Sequence, residues 1–231
     1  MSDNKIKIGL LCIATGKYDI FIPPLYKSAK KHFFKNEDVK IYVFTDQEIP
    51  DKKDLVKIAI NHEPWPNPTL KRYHNFSMHS SLYEDRDFLF YCDIDMLFVS
   101  DVDKEILPNT SGLVGVEHPG FYGERRGTYD ENSKSTAFVS KNEGKIYYAG
   151  GFNGGTREAF LKMSDEIKNN VDIDIKNGVT ALWHDESHMN KYFVNHPPKT
   201  LNPSYCYPEN WNLPFEKKLL ALDKNHEEIR K

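Results

Sequence analysis

The sequence predicts an α/β fold built on a sheet with parallel strands. Two observations carry that expectation. The first sixty residues alternate strand, helix, strand, an order that places parallel strands side by side. Of the 231 residues, 39% are hydrophobic and 13% aromatic, enough for a sizeable core. Lys7 to Ala14, KIGLLCIA, is an apolar run closed by Thr15-Gly16, a strand ending in a turn. Ile22 to Phe34 carries apolar or aromatic residues at 22, 25, 26, 29, 33 and 34, a helical spacing with prolines in its first turn. Val39 to Thr45 reads as a second strand and Leu55 to Ile60 as a third. Leu70 to Tyr83 looks helical, and Phe88 to Phe98 reads as a strand interrupted by two aspartates. Residues 120 to 145 are polar and bear glycine, the pattern of a long surface loop or lid. Ile146 to Gly155 is a small-residue segment between aromatics, followed by helices at about 156 to 169 and 183 to 193.

Composition excludes several classes. Charged residues make up 28%, but the signs nearly cancel at a net charge of -3, and no basic stripe points to nucleic acid. Cys12, Cys92 and Cys206 contain no CxxC pair, which argues against a disulfide framework and against a cysteine zinc site. The first apolar run spans only six or seven residues, too short for a signal core or a membrane span. These observations lead us to expect a soluble protein of a reducing compartment.

Two acidic places stand out. The stretch FLFYCDIDMLFVS sets Asp93 and Asp95 into an apolar run with no Gly, Asn or Pro between 87 and 101. On a strand, residues i and i+2 share a face, so the two carboxylates would project together. Two bare acids that close repel one another, and burial adds several kcal/mol per ion. A hard divalent cation shared with substrate phosphates removes both problems. The second place is Trp183-His184-Asp185-Glu186-Ser187-His188. His184 and His188 have the i, i+4 spacing of a zinc helix, but the base glutamate of that motif directly follows its first histidine. Asp185 holds that position here and Glu186 lies about 100° further round, so a zinc hydrolase is disfavoured.

The ordered set WPNPTLKR, YCDIDMLF, HPGFYG, YYAGGFNGG, WHDESHMNKYF and KNHEEIR resembles glycosyltransferase family 6 from about Ile8 to Arg230. That family includes the histo-blood-group A and B transferases, the α1,3-galactosyltransferases and shorter bacterial relatives. The resemblance implies a GT-A fold: one α/β domain over 1–231, a central mixed, mainly parallel sheet flanked by helices, and a tail from about 216 closing over the donor. It implies transfer of galactose or N-acetylgalactosamine from UDP to the 3-hydroxyl of a galactoside, with retention at the anomeric carbon. Asp93 and Asp95 match the DxD that holds Mn²⁺, with Mg²⁺ as the second choice, against the UDP diphosphate. Ile13, Thr15 and Tyr18 fall where the family packs uracil and ribose, and Arg72 matches an arginine near the donor. Glu186 matches the glutamate beneath the anomeric carbon, where positive charge develops. Asp185 matches a residue holding donor-sugar hydroxyls, Trp183 and His118 match acceptor contacts, and Lys224 and Arg230 match bases that close over the diphosphate.

Ala149, Gly150 and Gly151 sit where the family selects its donor. Gly151 together with Gly120 fits the N-acetylgalactosamine type, with UDP-galactose as the alternative. The acceptor by analogy is a galactoside, with 2-linked fucose as in the blood-group branch. The mammalian anchor and stem find no counterpart, so the expectation is a bacterial-type cytoplasmic enzyme. Some bacterial relatives carry NxN and need no metal; both aspartates here imply metal dependence. Glu131 and Asn132 replace arginines of many relatives, so contacts from that loop do not carry over. A sugar-binding protein that kept the fold and lost the chemistry is the reading from another class, and the intact acids and bases argue against it.

Overall fold

A computed structural model describes residues 5–50, 52–123 and 125–229. Its centre is a seven-stranded sheet. The strands in chain order are β1 (Lys7–Ile13), β2 (Asp38–Thr45), β3 (Leu55–Ala59), β4 (Phe88–Cys92), β5 (Met96–Phe98), β6 (Leu113–Glu117), β7 (Tyr148–Thr156), β8 (Lys199–Leu201), β9 (Tyr207–Pro208) and β10 (Leu219–Ala221). The large sheet runs β3-β2-β1-β4-β7-β6-β8, and β5-β10-β9 form a small second sheet. In the large sheet β7 alone runs antiparallel to its neighbours β4 and β6; the other pairs are parallel. The expected mixed, mainly parallel α/β sheet is therefore present.

Alternation along the strands builds a core on each face of this sheet. Ile8, Leu10 and Cys12 of β1 and Phe90 and Cys92 of β4 face one core, together with Leu25 and Ala29 of α1 (Ile22–His32). Leu11, Leu89 and Tyr91 face the other. This second core is closed by the remaining helices α2 (Asn67–Leu70), α3 (Arg72–Met78), α4 (Arg157–Lys176) and α5 (His184–Asn195). In α4, Phe160, Met163, Ile167 and Val171 recur at three- and four-residue steps, giving one buried stripe against the sheet. A short α6 (His226–Ile229) ends the described chain.

Several boundaries differ from those predicted. The helix expected over 70–83 is broken into α2, α3 and a 3-10 turn, Ser80–Tyr83. Helix α4 runs to Lys176, seven residues beyond expectation. The interruption expected at the aspartates of 88–98 divides the segment into two strands, β4 and β5, with a turn at Ile94 and Asp95 between them. Asp93 and Asp95 therefore do not share a strand face, and Ile94 packs into the core between them. The described residues of 120–145 form neither helix nor strand, as expected of a loop, and the loop is anchored to its surroundings. Tyr129 and Val139 pack on Tyr147 in a small core of their own. Asp130 accepts hydrogen bonds from the amides of Asn132 and Leu182, both at 2.8 Å, which ties the segment to the turn before α5.

Candidate functional site

The C-terminal ends of β1 and β4 lie side by side where the strand order reverses. From β1 the chain steps outward to β2 and β3, then returns to place β4 on the other side of β1. The crevice at such a switch point is where open α/β sheets receive ligands. A solvent-open cleft of about 810 Å³ occupies it. It is lined by Ile13, Thr15 and Tyr18 after β1, by Arg72 at the start of α3, by Asp93 and Asp95 in the acid turn, and by Lys224 and Ile229 of the tail. Residues scattered over two hundred positions of sequence thus converge.

The acid turn is fixed from both sides. The Asp93 amide donates to the Gly151 carbonyl at 2.8 Å, which joins the turn to β7. Asp93 Oδ1 accepts from the Tyr91 hydroxyl and from Arg72 Nη2 at 3.2 Å. A Cβ added at Gly151 would come 3.1 Å from Asp93 Oδ2, so a side chain there would press on this carboxylate. Asp95 is buried and pairs with the Lys224 ammonium, while its carbonyl accepts from the Leu222 amide at 3.0 Å. A cation already rests on one of the two acids.

Arg72 is the hub of the site and is itself buried. Its Nη1 donates to the Gly150 carbonyl at 2.9 Å, its Nε stands 3.1 Å from Asp185 Oδ2, and its guanidinium lies 4.1 Å over the Tyr91 ring. A planar fork of donors can hold three segments at once, which a lysine cannot. Burial pushes the Asp185 carboxyl up to about 7, with Arg72 opposing and Asp93 and Glu186 adding to the rise.

Asp185 and Glu186 open α5. His184 before them has φ +50°, an uncommon value for a residue with a Cβ, and its ring meets Trp65 edge-on at 5.2 Å. This bend carries both acids toward Arg72 and Gly150. Glu186 Oε1 accepts from the Tyr147 hydroxyl at 2.8 Å, and Oε2 accepts from the Gly150 amide at 2.7 Å. The packed surroundings push its carboxyl above the usual glutamate range, against the lowering effect of those two donors.

Asp185, Glu186, Trp183 and His118 do not line the cleft that holds Asp93 and Asp95; Arg72, which does, connects Asp185 to it. Trp183 is 49% exposed, and its carbonyl accepts from the Glu186 amide at 3.0 Å. His118 Nδ1 accepts from the Gly120 amide at 3.0 Å, which requires the ring proton on Nε2. Burial lowers its pKa to about 4, so the ring is neutral at pH 7. Its ring lies 5.8 Å from that of Tyr147, one residue away from Glu186. Ala149 is buried in β7. Arg230 lies outside the described residues. Sequence reasoning missed Tyr91, Tyr147 and Trp65. No spacing distinguishes Tyr147 from Tyr148; only the fold shows which of the two faces an acid.

Known proteins resemble this chain along nearly its whole length. The profile described as glycosyltransferase family 6 matches residues 1–231. Histo-blood group ABO system transferase 1 of Rattus norvegicus is 36% identical over 243 residues, covering 96% of this chain and 68% of its own. Globoside alpha-1,3-N-acetylgalactosaminyltransferase 1 of Gallus gallus is 32% identical over 242 residues, covering 97% and 69%. The O-antigen biosynthesis glycosyltransferase WbnI of Escherichia coli is 30% identical over 228 residues and matches on length, at 95% and 96%.

Proposed function

Because the chain belongs to glycosyltransferase family 6 and is a glycosyltransferase, we propose that it moves N-acetylgalactosamine from its UDP conjugate to the 3-hydroxyl of a galactoside. The new linkage is α1,3, formed with retention at the anomeric carbon. The observation that supports this reading most is the convergence of Arg72 and the acid turn on one cleft at the strand switch point, with Asp185 of α5 joined to the same Arg72 from behind.

The residues of the turn fit a hard divalent cation. Carboxylates of Asp93 and Asp95, two residues apart and both lining the cleft, would leave further positions to phosphate oxygens and water, as Mn²⁺ and Mg²⁺ prefer. The Lys224 ammonium seated on Asp95 agrees with a place that attracts cations. When bound, Mn²⁺ supplies positive charge to the departing diphosphate. Lys224, with Arg230 beyond the described residues, would add to that charge from the tail, which closes over the donor as a lid from about residue 216. Ile13, Thr15 and Tyr18 offer the apolar and aromatic wall for the uridine. Asp185 holds hydroxyls of the donor sugar. Glu186 supplies negative charge beneath the anomeric carbon, and Trp183 and His118 take the acceptor, an apolar ring face and one imidazole N–H suited to a sugar. EDTA is expected to abolish transfer and added Mn²⁺ to restore it, read as UDP release; full activity in EDTA refutes metal dependence.

The donor assignment rests on the absence of side chains at Gly151 and Gly120, the N-acetylgalactosamine-type pattern of the family resemblance. The relative from Gallus gallus, named as an N-acetylgalactosaminyltransferase, agrees with it. With β-galactosides as acceptors, with and without 2-linked fucose, UDP-N-acetylgalactosamine should give a higher kcat/KM than UDP-galactose. A preference for galactose overturns the donor assignment while leaving the family unaffected. We place the enzyme in the cytoplasm. Three buried free thiols support a reducing compartment, and no helix among the described residues is long and apolar enough to cross a membrane.

A further inference from the structure

We propose that Tyr147 is the positioning residue for Glu186, holding the carboxylate at the angle from which it meets the anomeric carbon. This inference rests on the role assigned to Glu186 above. Glu186 sits in the first turn of α5, beside Asp185 and close to Asp93, whose negative charges repel it. A glutamate so placed turns toward water unless donors hold it. Two donors do, one on each oxygen: the Tyr147 hydroxyl at 2.8 Å and the Gly150 amide at 2.7 Å. Both belong to the segment entering β7, so a single stretch of backbone fixes the carboxylate plane.

The Tyr147 ring is itself immobilised. It is fully buried and meets Tyr129 edge-on at 5.1 Å and Phe121 at 5.4 Å. The backbone of Gly127 lies so close that a Cβ there would fall 2.1 Å from the ring. The Tyr147 carbonyl accepts from the His118 amide at 2.8 Å. The same residue thereby sets the spacing between the glutamate and the candidate acceptor histidine. The buried Tyr83, by contrast, gives its hydroxyl to the backbone carbonyl of Phe76. Tyr147 spends its hydroxyl on the reacting acid.

The test is Tyr147→Phe, which keeps the ring and removes the donor, with Glu186→Gln as the control. A hydrogen bond to a charged group corresponds to roughly a 10- to 100-fold effect. The expected result is a kcat lowered by that factor, with KM for donor and acceptor within about twofold of the parent. The charged or titratable groups facing Glu186 are Asp185, Arg72, Asp93, Cys206 and Tyr147. Tyr147 stabilises the ionised carboxylate, so the acid limb of kcat should move to higher pH when the donor is lost. A kcat within twofold of the parent beside an inactive Glu186→Gln overturns the inference alone. A lowered melting temperature with an unmoved acid limb also overturns it, because it assigns Tyr147 to packing. A Glu186→Gln enzyme as active as the parent overturns the role of Glu186 itself.

Discussion

Glu186→Gln is expected to lower kcat by roughly 10³-fold, about 4 kcal/mol of transition-state stabilisation, while UDP affinity measured by calorimetry changes little. The size follows from where charge appears. As the bond to the diphosphate lengthens, positive charge grows at the anomeric carbon, and a fixed carboxylate acts on that charge only in the transition state. The amide is a fair replacement in shape. Its oxygen can accept from the Gly150 amide, and its NH₂ can donate to the Tyr147 oxygen, which rotates to accept. It also removes one of three negative charges gathered around Arg72, so the fold should be no less stable. A loss of activity with an unchanged melting temperature then isolates charge from structure. Activity within threefold of the parent would remove Glu186 from the chemistry.

Arg72→Met is expected to be the most damaging single change to the fold of the site. The guanidinium is buried and faces Asp185 at 3.1 Å and Asp93 at 3.2 Å. Removing one partner of a buried ion pair leaves an uncompensated charge, at a cost of about 3–5 kcal/mol. For a chain of this size that is a fall in melting temperature of roughly 6–20 °C. The Gly150 carbonyl also loses its donor. Adding Asp185→Asn should recover part of the loss, because the orphaned carboxylate becomes neutral. Arg72→Lys should recover little, since one ammonium cannot reach Gly150, Asp93 and Asp185 together. A single variant that melts within 2 °C of the parent would show that Arg72 is not the hub described here.

The sheet was legible because β1, β2 and β4 are short apolar runs of the kind that buried strands require. The interruption at Asp93–Asp95 was visible as an anomaly, and turn aspartates at a strand end were the bland reading of it. Period-2 reasoning treats 88–98 as continuous, and only the small sheet formed by β5 with β10 explains why the chain bends there. Ile13, Thr15, Tyr18, Arg72, Asp93 and Asp95 could be picked out because their motifs are compact in sequence, and all six line the cleft. Arg72 was read as a neighbour of the donor, and its role as a link among four segments depends on contacts 21, 78 and 113 residues away along the chain, which no local pattern carries. Tyr147 escaped notice for the same reason. The stretch 120–145 was legible as a surface loop or lid, but its anchoring was not, because the polar letters conceal Asp130, whose buried carboxylate satisfies backbone amides rather than water.

Strand β10 hydrogen-bonds to the strand that leaves the acid turn, and the residues after it reach back along the cleft as far as the Lys17 ammonium, which donates to the Glu228 carbonyl at 3.1 Å. The last described residue, Ile229, lines the cleft itself. Strand β1, by contrast, begins at the opposite rim of the sheet. Affinity tags, fluorescent fusions and surface-immobilisation anchors belong on that rim, and kinetics recorded with a carboxyl-terminal tag would report on the tag as much as on the enzyme.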